Sequence, residues 1–455
     1  MFSRIENHLK KRFDSDQFTY EQLRNMFFPL VMDQLFIFII GMLSSAMVSS
    51  SHEGAAASVM LVNVIGSLAY ALFSAISMGG AIVVARAKGA NDPERVRQAI
   101  GQAANLSLIV SSLLAFLLYI GAERLILFLY PDAEEIVISS AVTYMKVYVL
   151  SFPVYAVFNV LFSSFRSLGD AKSSLVLTIV INVAHLIFSF IFINHMHLAT
   201  LGAALSYLTA RILGMIFGFI WLFRPHNGVD MRVKHFFHFS LSIIKEIRVL
   251  GIPFAFEQLL FQGGMLFVQR YLSHLPTAEL DAYSIAASIF NLYYAFAYAM
   301  TAMAGTVCGQ CVGAKHIELA RKYAKDLIWA GRWVMIFAIV VLMPLTPLIL
   351  NLYSPSQAAR PIIFISLMIG ALPMPVLWGE GYIIPAATRT AGDASFTSVI
   401  SLIALACGRM SSGYLFAITL KMGVQGVWLG QLIEWIIRAA VMTKRIKTDK
   451  WIRIR

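Results

Sequence analysis

The sequence predicts an all-α integral membrane protein: twelve transmembrane helices in two parallel six-helix repeats, related by a pseudo-two-fold axis along the membrane normal. Three observations carry this expectation. Of 455 residues, 59% are hydrophobic and only 13% are charged, against about 25% charged in a soluble domain. With a mean hydropathy of +0.74, too little polar material remains to coat the several cores a soluble chain of this length needs. Twelve apolar runs reach the roughly 20 residues a helix needs to cross hydrocarbon, and none shows the alternation of a membrane β-barrel. Finally, features of the first half return about 224 residues later in the same order.

The elements follow along the chain. Residues 1–24 form a basic segment without the apolar run of a signal peptide. Its first 13 residues place Phe2, Ile5, Leu9 and Phe13 on one helical face beside Lys10, Lys11 and Arg12, the pattern of a short interfacial helix. The first lobe, 25–224, holds spans near 25–48, 55–83, 98–121, 142–165, 174–194 and 201–223. A linker at 225–248 follows, with Pro225-His-Asn-Gly228 and the basic aromatic stretch from Lys234 to Phe239; it is expected to slide along the inner leaflet. The second lobe, 249–443, holds spans near 249–271, 282–309, 327–351, 361–386, 396–420 and 424–443, and a basic tail occupies 444–455.

Basic residues orient the spans, because cytoplasmic loops retain Lys and Arg. Of 36 such residues, 28 fall on one side: the two terminal segments, the linker and the loops after the second, fourth, eighth and tenth spans. The opposite loops carry acids such as Glu53, Glu123, Asp132 and Glu279. Both termini are therefore expected in the cytoplasm of a cell-membrane protein. The net charge of +12 needs no nucleic acid to explain it.

The repeat is specific in its residues. Arg24, Pro29 and Gln34 recur as Arg248, Pro253 and Gln258, with Asp33 answered by Glu257. Gly89-Ala90, Glu94 and Arg97 recur as Gly313-Ala314, Glu318 and Arg321, all at an offset of 224; Arg166, Gly169 and Asp170 recur at 223 as Arg389, Gly392 and Asp393. A unit of six crossings makes the copies parallel, and parallel bundles facing each other enclose a site suited to transport. Gly89 and Gly313 are expected to supply left-handed helix caps. Arg166 and Arg389 end the fourth and tenth spans as headgroup anchors and gate elements.

The stretches ARAKGANDPERVR, GQCVGAKHIELAR, FRSLGDAK and TRTAGDAS resemble the paired signatures of the multidrug and toxin extrusion (MATE) family, and the resemblance covers essentially the whole chain. It implies a twelve-helix antiporter that exports amphipathic, often cationic organic compounds in exchange for H+ or Na+. Flippases of lipid-linked saccharides have similar signatures, so export of a lipid or lipid-linked saccharide is the alternative. The resemblance implies no cofactor beyond the coupling ion. The implied partners are a small organic substrate and membrane lipid, for a protein acting as a monomer. Two family acids are missing: the first span reads Leu43-Ser44-Ser45-Ala46 where an Asp often stands, and the fifth keeps Asn182 but has no acid four residues on. In the second lobe Glu257 and Glu380 resemble a family acidic pair.

Carboxyl groups inside apolar spans are costly unless neutralised, paired or hydrated. Asp33 and Glu257 each lie one turn after a proline, beside Gln34 and Gln258, and desolvation suits such acids to proton exchange. His185, Asn182 and Asn159 are candidates for a polar cluster in the first lobe near Asp33. Glu380 follows Pro373 and Pro375 in a helix expected to be broken, with Arg409 as its expected neutralising partner. Arg211 and the Glu434/Arg438 pair read as structural. Phe254, Phe256, Phe261, Met265, Tyr293, Tyr294, Tyr298, Met300 and Met303 offer an adaptable aromatic wall. Acids together with few intramembrane lysines favour a cationic substrate. Cys308 and Cys311 have redox or metal spacing, but no second pair completes four ligands. No HExxH, P-loop or GxSxG element is present, which argues against hydrolysis and ATP-driven transport.

Overall fold

The computed structural model describes residues 2–49, 55–131, 134–224, 229–237, 239–353, 355–357 and 359–453, and among them contains helices and no strand. Side chains 2–5, 8, 40–57, 199 and 352 lie outside what is described. So do Glu53, Asp132, Pro225–Gly228 and His238, together with the side chains of Leu43–Ala46.

An amphipathic helix α1 (Phe2–Phe13) precedes the spans. The first six are α2 (Tyr20–Ser49), α3 (Ala55–Gly89), α4 (Pro93–Leu129), α5 (Glu135–Ser167), α6 (Ala171–Ser189) and α7 (Ala199–Leu222). After a single turn α8 (Lys234–Phe237) come α9 (Leu241–Leu272), α10 (Thr277–Gly313) and α11 (Ile317–Tyr353). The tenth span is broken as its prolines require: α12 (Ala359–Ala371) stops, and α13 (Met374–Trp378) resumes beyond Pro373. A π-helical turn Gly379–Ile383 and α14 (Ile384–Thr390) complete it. The eleventh is α15 (Ala394–Ala404) with π-helical continuations Leu405–Ser412 and Leu415–Thr419, and the twelfth is α16 (Gly423–Ile446). Ten helices are long and apolar enough to cross a membrane among the described residues; α2 and α16 complete the twelve.

Each helix is positioned by recognisable chemistry. In α4, Asp92 accepts a hydrogen bond from the Arg95 amide at 2.9 Å and Pro93 opens the first turn, the arrangement that satisfies free N–H groups at a helix start. Ser107, Ser111, Ala115, Ala122 and Ile126 face the bundle, while Ile109, Leu113, Phe116, Leu117 and Ile120 are exposed, a face suited to lipid.

The chain divides into two compact units, residues 35–255 and residues 1–34 with 256–455, so it passes between them within α2 and α9. The core of the 35–255 unit is built from Phe73, Tyr144, Tyr148 and Phe152. In the other unit Phe290, Tyr293, Trp378, Trp428 and Trp435 pack together, joined by Met300 and Met303 as buried residues. Tyr293, Met300 and Met303 are thus interior packing, whereas Phe256 is exposed.

The caps correct one expectation. Neither Gly89 nor Gly313 is left-handed; that conformation falls two residues later, at Asn91 (φ 53°) and Lys315 (φ 62°), again 224 apart. Asparagine tolerates it through its short polar side chain. The glycines that do need positive φ are Gly169 (87°), Gly392 (98°) and Gly423 (58°). The described part of the linker is docked on its unit: Arg97 donates to the Val229 carbonyl at 2.7 Å and Asn105 donates to the Phe236 carbonyl. Close approach is enforced at Gly101, where a Cβ would stand 2.5 Å from the His235 carbonyl oxygen.

Candidate functional site

In the unit formed by residues 1–34 and 256–455, the intramembrane acids meet arginines. Glu257, one turn past Pro253 on α9, is buried and ion-paired with Arg389 at the end of α14. Ser398 on α15 donates to the same carboxylate oxygen at 2.8 Å, and Arg389 donates through Nε to Thr397 at 2.9 Å. Arg389 is therefore held by an internal carboxylate instead of a lipid headgroup, which corrects the expectation of an anchor. Its counterpart Arg166 lies over the Phe162 ring at 4.2 Å, a cation–π contact. Gln258 is half-buried beside Glu257.

Glu380, on the π-helical turn of the tenth span, pairs with Arg332. The expected partner Arg409 is elsewhere, paired with Glu434, while Arg332 sits about four turns inside α11, which begins at Ile317. Arg409, on the π-helical stretch Leu405–Ser412, lies 2.7 Å from Glu434, and Arg438 lies 3.2 Å from the other oxygen of Glu434. This buried triad of two guanidinium groups and one carboxylate is enclosed by aromatic rings, with Arg438 over Tyr382 at 4.5 Å and Arg409 over Phe261 at 5.6 Å. Contact is possible because Gly408 is glycine: a Cβ there would stand 2.4 Å from the Glu434 amide nitrogen. Trp378 stacks on Tyr382 at 3.9 Å and donates to the Ala297 carbonyl at 3.1 Å, fixing one wall. Asp33 is fully buried and accepts from Gln34 at 3.2 Å.

The recurring Gly-Asp motif ends differently in its two copies. Asp170 caps α6, accepting from the Ser173 amide at 3.1 Å. Asp393 caps nothing by hydrogen bond; it receives both ends of the Arg445 guanidinium, at 2.7 and 2.8 Å, and lies 3.1 Å from Arg453.

The unit 35–255 has a different character. His185 stacks on Tyr207 at 4.1 Å, Asn182 donates to the Thr178 carbonyl of its own helix at 2.8 Å, and the backbone carbonyl of Asn159 accepts from Ser77 at 2.8 Å. Among the described residues no hydrogen bond joins these three candidates to one another. The dominant charge is Arg211, at the middle of α7 and 4% exposed. It donates to the Ser151 and Tyr70 hydroxyls. Its guanidinium also lies 4.7–5.2 Å from the ring centres of Tyr70, Tyr148, Tyr155 and Tyr207. The sequence reading takes Arg211 as structural and does not connect it with these tyrosines, although Tyr148, Ser151 and Tyr155 share a helical face and Tyr207 lies one turn from Arg211.

Cys308 and Cys311 are buried and free, and among the described residues no group of three or more His, Cys, Asp or Glu could hold a metal.

Comparison with known proteins agrees with this architecture. A family model described as MatE matches residues 29–191 and 253–415, two segments that are themselves 224 residues apart. The chain is 22% identical over 446 residues to the "Uncharacterized transporter YisQ" of Bacillus subtilis, covering 95% of each. It is 21% identical over 451 residues to the "Probable multidrug resistance protein NorM" of Thermotoga maritima, covering 95% of this chain and 93% of that one. A crystal structure described as MATE in complex with MaD3S superposes with a TM-score of 0.85 at 19% identity, over 94% of this chain and 96% of that one.

Proposed function

The chain belongs to the MatE family of multidrug efflux transporters, and from that premise we propose that it is a secondary antiporter. It exports amphipathic organic compounds by alternating access in exchange for H+ or Na+. It acts as a monomer in the cell membrane, with both termini cytoplasmic. As a multi-pass transporter it is not an enzyme.

One observation supports ion coupling above the others: Glu257 is a buried intramembrane carboxylate whose partner Arg389 belongs to the recurring Gly-Asp motif at the end of the tenth span. A proton or sodium ion arriving at Glu257 competes with the guanidinium for the same oxygens. Removing one partner of a buried pair costs about 3–5 kcal/mol, so neutralising the acid frees Arg389 to take another position. Coupling needs this kind of differential affinity between two states. Asp33 is another buried acid of the same unit. The argument for a cationic substrate from unpaired acids loses force, because Glu257 and Glu380 already face arginines.

The test is efflux of fluorescent organic compounds from proteoliposomes under separately imposed proton and sodium gradients, comparing wild type with Glu257→Gln and Asp33→Asn. Loss of gradient-driven efflux in Glu257→Gln, with the protein still monodisperse, is the expected result. Full efflux in Glu257→Gln under both gradients removes this residue from the coupling mechanism. Movement of lipid-linked saccharide in place of any soluble compound favours the flippase alternative.

A further inference from the structure

We propose that Arg211 and its tyrosines form a binding site for an amphipathic organic monoanion bearing a carboxylate or sulfonate. This deepens the export reading above, and rests on it, by giving the substrate a charge. A guanidinium at the middle of a membrane helix is expensive and ordinarily meets an acid. Here, among the described residues, Arg211 has no carboxylate partner: its polar contacts are the hydroxyls of Ser151 and Tyr70, and its other neighbours are rings. Neutral hydroxyls and ring quadrupoles make the cation tolerable without cancelling it. The group therefore keeps a whole positive charge in a low-dielectric setting, where an anion is held far more strongly than in water.

The surroundings suit the rest of such a ligand. Arginine presents five N–H donors in a planar fork that matches a carboxylate or sulfonate, and the two hydroxyl contacts leave donors over. The Tyr155 hydroxyl, half-buried, makes no hydrogen bond among the described residues and is free to donate to the same anion. Tyr70 and Tyr148 share a 2.5 Å hydrogen bond, which holds the far side of the ring cluster in place. Tyr155 lies 4.6 Å from Tyr70 and Tyr207 lies 4.1 Å from His185, giving flat apolar surface against which a planar body packs. The side chains come from α3, α5, α6 and α7 of one unit. A cation is repelled by the same geometry.

Equilibrium binding without any ion gradient separates this inference from the antiport reading. The probes are dansylglycine, a naphthyl carboxylate; its neutral amide, dansylglycinamide; and rhodamine 6G as a cation. Each is titrated by fluorescence anisotropy against the full chain in nanodiscs of phosphatidylcholine. Wild type is expected to bind dansylglycine at least about tenfold more tightly than the amide, the size of one charge-assisted contact. Arg211→Met erases that preference, Arg211→Lys retains part of it, and Tyr155→Phe weakens dansylglycine binding severalfold while sparing the amide. If Arg211→Met does not fold, the lysine and phenylalanine variants carry the test. Equal binding of acid and amide, tighter binding of rhodamine 6G, or an unchanged preference in the variants overturns the proposal. Displacement of the probe by phosphatidylglycerol in the disc overturns it in favour of a lipid headgroup. Dansylglycine that binds through Arg211 but does not move under a proton or sodium gradient leaves the site standing and counts against antiport.

Discussion

Glu434 holds two buried guanidinium groups apart, and Glu434→Gln is the perturbation with the largest consequence for stability. The carboxylate is 0% exposed, 2.7 Å from Arg409 Nε and 3.2 Å from Arg438 Nη2. At an effective dielectric of about 20, those separations correspond to about 6 and about 5 kcal/mol of attraction, much of it offset by desolvating three charges. Glutamine preserves the volume and removes the charge, leaving two like charges unscreened among Tyr294, Tyr298 and Tyr382. The expected loss is about 3–5 kcal/mol, read as a lower unfolding midpoint when purified protein in dodecyl maltoside is titrated with sodium dodecyl sulfate. Adding Arg409→Met to Glu434→Gln removes one of the opposed charges, and about half of the loss is expected to return. A Glu434→Gln protein within 1 kcal/mol of wild type (roughly the ceiling for a solvent-exposed ion pair) would refute the idea that the triad is desolvated.

Three further outcomes are expected. Gly392→Ala places a Cβ at φ 98° and 3.3 Å from the Arg453 Cβ, costing about 1–3 kcal/mol, whereas Gly305→Ala in α10, with nothing within 4 Å, is neutral or gains up to about 1 kcal/mol; the same detergent titration checks both, and equal effects refute the backbone argument. His235 accepts from the Arg232 amide at 3.0 Å through Nδ1, and burial lowers its pKa below 6.5 against the pull of Glu94. The docked state thus disfavours the proton: docking is strongest with neutral imidazole and weakens as pH falls below about 6.5. Hydrogen exchange across residues 229–237 is expected to quicken between pH 7 and 5.5 after correction for the intrinsic rate, and His235→Gln should remove that dependence. Arg332→Met removes the ion-pair partner of Glu380, and because Arg332 is 45% exposed the expected cost is about 1 kcal/mol or less; Glu380→Gln added to it should restore most of the loss, and no restoration would show that Arg332 stabilises by packing alone.

The architecture was legible because its causes are local. Run length identifies a span without knowledge of its neighbours, and the 224-residue offset that linked Pro29 to Pro253 is the spacing of the two family matches. The buried acids were legible for a similar reason, since a carboxylate such as Glu257 stands out in an apolar run. Their partners were not. Arg389 is 132 residues from Glu257, and only the tertiary fold makes them neighbours. Arg332 lies within its own helix, and nothing in that run points to Glu380, 48 residues on. The ring around Arg211 draws on three helices, and each tyrosine alone is an ordinary membrane residue. The left-handed positions at Asn91 and Lys315 escaped because the glycine two residues earlier was the stronger signal.

The two aspartates of the Gly-Asp motif stand at matching places 223 residues apart, and they do not hold the same post. Asp170 caps the start of α6, whereas Asp393 clasps the last turn of α16 and the segment beyond it. Symmetry of the backbone has therefore outlived symmetry of labour. Each half could keep the shape while its twin took up a new task, and tolerance measured at one position cannot be transferred to its mate 223 residues away. For a machine with two lobes, that freedom is how one side could come to hold paired acids and arginines and the other a single cation among tyrosines.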